Sequence, residues 1–185
     1  MSIGYTEFLI DPSGKPPCTL PELIRQVANS SAGFSRSWTA GDLDDAHATS
    51  AEAFSCLDHI QNELLRHRDE KSQLIDWRAS PFNAALNATI GSLVEPVLPA
   101  EKAAFLVQDV GTGSIPSSAT VGALTLAAAL NKLKHRKVSG VNFSIANASH
   151  TLYFLTYAGM GRPDSLSGFD VQTFCNACKV AVRAL

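Results

Sequence analysis

The feature that most limits how this chain folds is the near absence of polar side chains along residues 119–133. There Val121, Ala123, Leu124, Leu126, Ala127, Ala128, Leu130 and Leu133 leave almost no face for water. With Ser117 or Ser118 as its cap, the segment predicts a buried helix, and Gly122 predicts close backbone packing against a neighbour. Just upstream, residues 103–110 are almost continuously apolar, with Gln108 and Asp109 near the end, the pattern of a central strand covered on both faces. Together these segments predict an α/β fold: a single domain over residues 1–185, with a mixed sheet and a buried central helix.

The rest of the chain supplies shorter elements. Ile3, Tyr5, Phe8 and Ile10 predict a strand that ends in the turn residues at 11–14. Thr19, Pro21 and Glu22 form a capping box for a helix over about 20–29, and the Ser-, Gly- and Asp-rich stretch 30–45 predicts a loop. A second box at Thr49 and Glu52 opens a helix with an apolar stripe of Ala53, Phe54, Leu57, Ile60, Leu64 and Leu65. Ser80-Pro81 opens another, carrying Phe82, Leu86, Ile90, Leu93 and Val94 up to Pro96. Residues 141–145 and 151–157 predict an antiparallel hairpin, the 159–163 stretch breaks the pattern, and Asp170 caps a last helix with Val171, Phe174, Cys178 and Val182. No internal repeat, low-complexity tract or second-domain boundary is visible.

Composition narrows the class. At 185 residues and 45% hydrophobic, the chain can bury a core without staples. Charged residues make up only 17%, which predicts a surface partly covered by a second copy or a protein partner. A net charge of −2 supplies no clustered positive field, so nucleic acid is not an expected partner. Charge is nevertheless segregated: residues 42–70 are acidic and residues 132–185 basic, a polarity to be met within the fold or across an interface. Four unevenly spaced cysteines read as reduced thiols, residues 1–10 lack a signal-peptide pattern, and the weakly polar run 119–130 is too short to cross a bilayer. These features predict a cytoplasmic protein with no membrane partner.

Several groups are candidates for chemistry. The loop Gly111-Thr112-Gly113-Ser114, preceded by Asp109, joins the predicted strand to the predicted helix, where α/β folds present backbone N–H groups to ligands. It lacks the third glycine of a dinucleotide fingerprint and the Gly-Lys-Ser/Thr ending of a phosphate loop, so no cofactor is expected. Asn147, Ser149 and His150 form a polar trio at the mouth of the apolar hairpin, where they line a pocket or solvate a turn. His59, Glu63 and His67 fall on one helical face at metal-ligand spacing, but that helix also needs a wet face and no metal is expected. Cys175-x-x-Cys178 stands alone and reads as buried thiols, and no nucleophile elbow is present.

The stretch from Phe105 through Ser114, then 119–133, then Leu133-Lys134-His135-Arg136, then Val141-Asn142-Phe143-Ser144-Ile145 with 151–155, resembles the closing part of a thiolase-fold ketosynthase. That resemblance implies a thiolase-like half-fold. Catalytic histidines would be expected in the loop before the buried helix, where this chain has Val110 and Ser117/Ser118, and Cys56 lies inside an amphipathic helix instead of an elbow. The resemblance therefore implies a non-catalytic binding or assembly protein that works as an oligomer or beside a partner subunit. The alternative is a small-ligand binder or acyl-transfer-type enzyme that uses the 111–114 loop and the 147–150 hairpin loop, with Asp109, Gly111, Thr112, Gly113, Ser114, Asn147 and His150 as its site.

Overall fold

The computed structural model describes residues 19–147, 149–157 and 163–185, and of Val138 only the backbone. The strand expected at 3–10 and all but Pro163 of the break expected at 159–163 lie outside the described residues. In chain order the elements are α1 (Leu20–Ala40), α2 (Leu43–Lys71), a 3₁₀ turn (Trp77–Ala79), α3 (Pro81–Leu86), β1 (Thr89–Val94), α4 (Pro99–Leu106), β2 (Gly122–Thr125), α5 (Leu126–Lys134), β3 (Arg136–Ala146), β4 (Ser149–Thr156), β5 (Ser165–Asp170) and α6 (Val171–Arg183). The chain is α/β, but its sheet is not mixed. All five strands are antiparallel, in the order β2-β1-β5-β4-β3.

The capping box at the start of α1 forms as expected, with Thr19 N donating to Glu22 Oε2 at 3.2 Å. The helix does not stop at residue 29. Its serines and threonine bond back along the helix, Ser35 and Thr39 donating to the carbonyls of Ser31 and Ser35 at 2.9 and 2.7 Å. The buried stripe Leu23, Val27, Ser30 and Phe34 then carries it to Gly41, whose φ of 77° ends it in the left-handed region. The expected 30–45 loop is thus mostly helix. Asp42 caps α2 by accepting from Asp45 N at 3.1 Å, so Thr49 and Glu52 lie inside that helix instead of opening it.

Three further expectations give way to tertiary pairing. The helix begun at Pro81 ends at Leu86, and the apolar residues beyond it form β1, where Gly91 lets the backbone meet β5: a Cβ there would stand 2.2 Å from the Gly168 carbonyl oxygen. Residues 103–106 belong to α4, begun by Pro99 and by Glu101 accepting from Leu98 N at 2.8 Å; after Leu106 the chain turns. Only Phe105 of the 103–110 run is buried, and Val107 is 80% exposed, so no doubly covered strand exists there. Residues 122–125 form edge strand β2, and the helix expected over 119–133 begins only at the Thr125 cap. Gly122 meets only the Leu93 carbonyl, at 3.6 Å.

The 141–157 hairpin and the Asp170 cap are found as expected. Phe143 pairs with Leu152 and Ile145 with His150, and Asp170 Oδ1 accepts from Thr173 N at 2.7 Å. Alternation along β4 divides the interior: Leu152 and Phe154 face α1, α2, α3, α5 and α6, whereas Tyr153 and Leu155 face α4 and its following connection. The buried helix expected over 119–133 is found in its second half, α5, where Leu126, Ala129, Leu130 and Leu133 are fully buried; beside it α6 turns one face inward. Its Phe174, Cys175, Cys178 and Ala181 are fully buried, and Phe174 stacks on Phe169 of β5 with centroids 4.8 Å apart. Segregated charge is partly met inside the fold, where Arg136 forms a two-pronged pair with Asp58 of α2 at 2.7 and 3.1 Å. Among the described residues no helix is long and apolar enough to cross a membrane.

Candidate functional site

Because α1 continues past residue 29, its second half lies along the end of the β3–β4 hairpin. Phe34 stacks on the His150 ring at 5.0 Å and meets Phe143 edge-on at 4.8 Å, and Trp38 meets Phe143 edge-on at 4.9 Å. Phe34, Phe143 and His150 line a cavity of about 160 Å³ between the helical layer and the sheet, and Trp38, outside that lining, touches the Phe34 and Phe143 rings. Val27, Ser30, Ser31 and Phe34 of α1 form one wall, and Ser50, Ala53, Phe54 and Leu57 of α2 a second. Val141, Asn142 and Phe143 of β3 with His150 and Leu152 of β4 form the sheet side, and Val171 and Val110 complete it. A volume near 150 Å³ accepts a single aromatic ring.

The cavity is apolar except for a few groups, of which two act as a pair. Ser31 Oγ and His150 Nδ1 are 2.8 Å apart, joined across 119 positions of sequence. His150 Nε2 has no hydrogen-bond partner among the described residues. When Ser31 donates to Nδ1, Nε2 carries the proton and is a donor; in the other tautomer Nε2 is an acceptor. Burial pushes His150 down to about 4, against the opposing pull of the Asp170 carboxylate, so the ring is neutral at physiological pH. Asp170 itself accepts from Ser149 Oγ at 2.7 Å and from Thr173 N, an arrangement that fixes the hairpin end to the start of α6.

A serine, a histidine and an aspartate near one another invite comparison with acyl-transfer enzymes, and the geometry argues against that chemistry. A base near 4 drives little proton transfer at pH 7. Ser31 stands in the interior of α1, where backbone N–H groups are spent on the helix and none is free to hold an oxyanion. What remains suits binding: aromatic and aliphatic walls with one adaptable hydrogen-bonding nitrogen.

The sequence-expected residues divide sharply. His150 lines the cavity, but Asn147 is an exposed turn residue with φ 51°. The 109–114 stretch lies along the outer edge of β3. Asn142 Oδ1 accepts from Gly111 N at 3.0 Å, Asn142 Nδ2 donates to the Asp109 carbonyl at 3.1 Å, and Gly113 N donates to the Phe143 carbonyl at 2.7 Å. Thr112 bridges to Ser144, and Ser114 N and Oγ bond to Gln108. The N–H groups of Gly111, Thr112, Gly113 and Ser114 are therefore already used, and this loop is not an anion cradle. Gly111 sits at φ 90° with a Cβ position only 2.8 Å from the Trp38 indole, so both conformation and contact require glycine. The loop reaches the cavity through Val110.

Ser31, Phe34 and Asn142 were not expected. The available signal was spacing: Ser31 follows Val27 by four positions and so shares its buried face, a small polar residue inside an apolar stripe. The other candidates are occupied elsewhere. Glu63 and Glu70 pair with Arg66 at 2.8 and 2.7 Å, and among the described residues no three His, Cys, Asp or Glu side chains are placed to share a metal. Burial pushes the Cys175 thiol up to about 12 and Cys178 well above its ordinary value, so neither is a ready thiolate.

Compared with known proteins, the chain matches no family model, no curated protein and no solved structure.

Proposed function

We propose that this chain is a small-molecule-binding protein whose ligand occupies the cavity between α1, α2 and the β3–β4 hairpin. The observation that carries the reading is the Ser31–His150 pair, a hydrogen-bonding couple inside walls that are otherwise aromatic and aliphatic. The ligand class is neutral, of one-ring or short-chain size, with a single hydroxyl or carbonyl group for His150 Nε2. Among the described residues no cationic side chain lines the cavity, so a carboxylate would be buried without a partner there at a cost of several kcal/mol, on the order of that for any uncompensated ion.

The test is a titration with phenol and toluene, read by Trp38 fluorescence in a Trp77→Phe background. Phenol is expected to give a saturable response with Kd on the order of 1 mM or tighter. His150→Leu is expected to remove the preference for phenol over toluene. No saturable response to either compound sinks the reading.

A second reading is the accessory or assembly role that accompanied the thiolase-like resemblance, with a second copy or another subunit as partner. Its support is the exposed apolar set Leu106, Val107, Val110 and Val121 along the end of α4 and the connection to β2, and no longer the order of elements. Light scattering decides it: a mass of one 19.7 kDa chain at micromolar concentration counts against self-assembly.

A further inference from the structure

We propose that the 107–114 segment is the gate of this cavity and that the Asn142 side chain is its latch; the inference rests on the ligand-binding reading above. Among the described residues every wall residue but one belongs to a helix or a strand, and moving those elements would break the sheet or the packed helical layer. The exception is Val110, 70% exposed, at the rim of the cavity. The segment that carries it buries almost nothing of its own: Val107, Asp109, Thr112 and Ser114 are also exposed, and only Gly113 is buried. Such a segment opens at far lower cost than the layers it bridges.

Its closed position is held from both sides of the cavity. On the α1 side Gly111 lies against the Trp38 indole. On the sheet side Asn142, 7% exposed, both lines the cavity and spends its amide on the segment through Gly111 N and the Asp109 carbonyl. Asn142 Oδ1 also accepts from Phe143 N at 2.8 Å, which fixes the amide's orientation when the segment is away. The Thr112–Ser144 bridge and the Gly113–Phe143 bond complete an added edge beside β3. Because the latch lies on the cavity wall, a ligand that competes for the amide loosens the closure, and one that leaves it alone is retained.

The experiment uses Thr112→Cys with Ser144→Cys in the Trp77→Phe background, since these positions face each other as a bridge and a disulfide there locks the segment down. Phenol is mixed with the oxidised and then the reduced protein, and Trp38 fluorescence is followed in stopped flow. Oxidation is expected to slow association and dissociation together by about ten-fold, with Kd nearly unchanged and full recovery on reduction. In a parallel arm, Asn142→Leu is expected to speed hydrogen exchange at Gly111 and Gly113 and to raise both phenol rates. Rates indifferent to the disulfide, or Gly111 and Gly113 amides that stay protected in Asn142→Leu, overturn the gate while leaving the cavity reading intact. A wild-type protein with no phenol response overturns the cavity reading and the gate with it.

Discussion

Ser31 and His150 meet at 2.8 Å although one is in the interior of the first helix and the other near the start of the fourth strand. The contact ties the helical layer to the sheet at the cavity, and it keeps an imidazole where its charged form is poorly solvated. An unfolded His titrates near 6.5 and this one near 4, so between those values the unfolded chain binds the extra proton and the folded chain does not. Stability therefore falls as the pH drops from about 6.5 to about 4, by roughly 3 kcal/mol at most. Urea denaturation across that range is expected to show the slope in the wild type and to lose it in His150→Phe.

Arg136 is the ionic link between α2 and β3. Its guanidinium grips both Asp58 oxygens, donates to the Leu133 carbonyl at 2.9 Å and lies over the Phe54 ring at 4.8 Å. Lysine keeps the charge and loses the fork and the stacking. Arg136→Lys is expected to cost about 1–2 kcal/mol in chemical denaturation, more than an exposed ion pair is worth.

Ser165 and Ser167 are fully buried on the helix-facing side of β5, and their hydroxyls have no partner among the described residues. Removing an unpaired buried hydroxyl relieves a desolvation penalty at the expense of a small void. Ser167→Ala is expected to leave stability unchanged or raise it by up to about 1 kcal/mol in urea denaturation; a clear loss would mean that the hydroxyl is satisfied by a trapped water.

Gly111 should tolerate no side chain. Its left-handed φ and the Trp38 contact predict a loss of about 1–3 kcal/mol for Gly111→Ala, together with a red shift of Trp38 emission as the indole is pushed towards water.

Local signals in the sequence were reliable where the physics is local. Thr19 and Glu22 start α1, Asp170 caps α6, and the hairpin forms where it was read, although its first arm starts at Arg136, five residues before the expected 141. The apolar runs at 103–110 and 119–125 misled because periodicity cannot separate a short buried strand from a helix. Pro99 and Glu101 decided the first, and pairing of Gly122 and Leu124 beside β1 decided the second. His150 was legible as a polar residue at the mouth of an apolar hairpin. Its partner was not, since the serine-rich stretch 30–37 resembles a loop until back-bonding hydroxyls and Phe34 are seen to carry the helix through it.

The junction at Asp170 joins the middle strand of the sheet directly to α6, which packs against α1, α3 and α5. Both emerge from the ribosome after every other element described here. Until residues 165–183 have cleared the exit tunnel, β1 and β4 lack the strand that lies between them, and α1 and α3 lack the helix that packs against both. Assembly of the native core therefore waits for the tail of this segment, and nascent chains stalled before it expose sticky surface to chaperones.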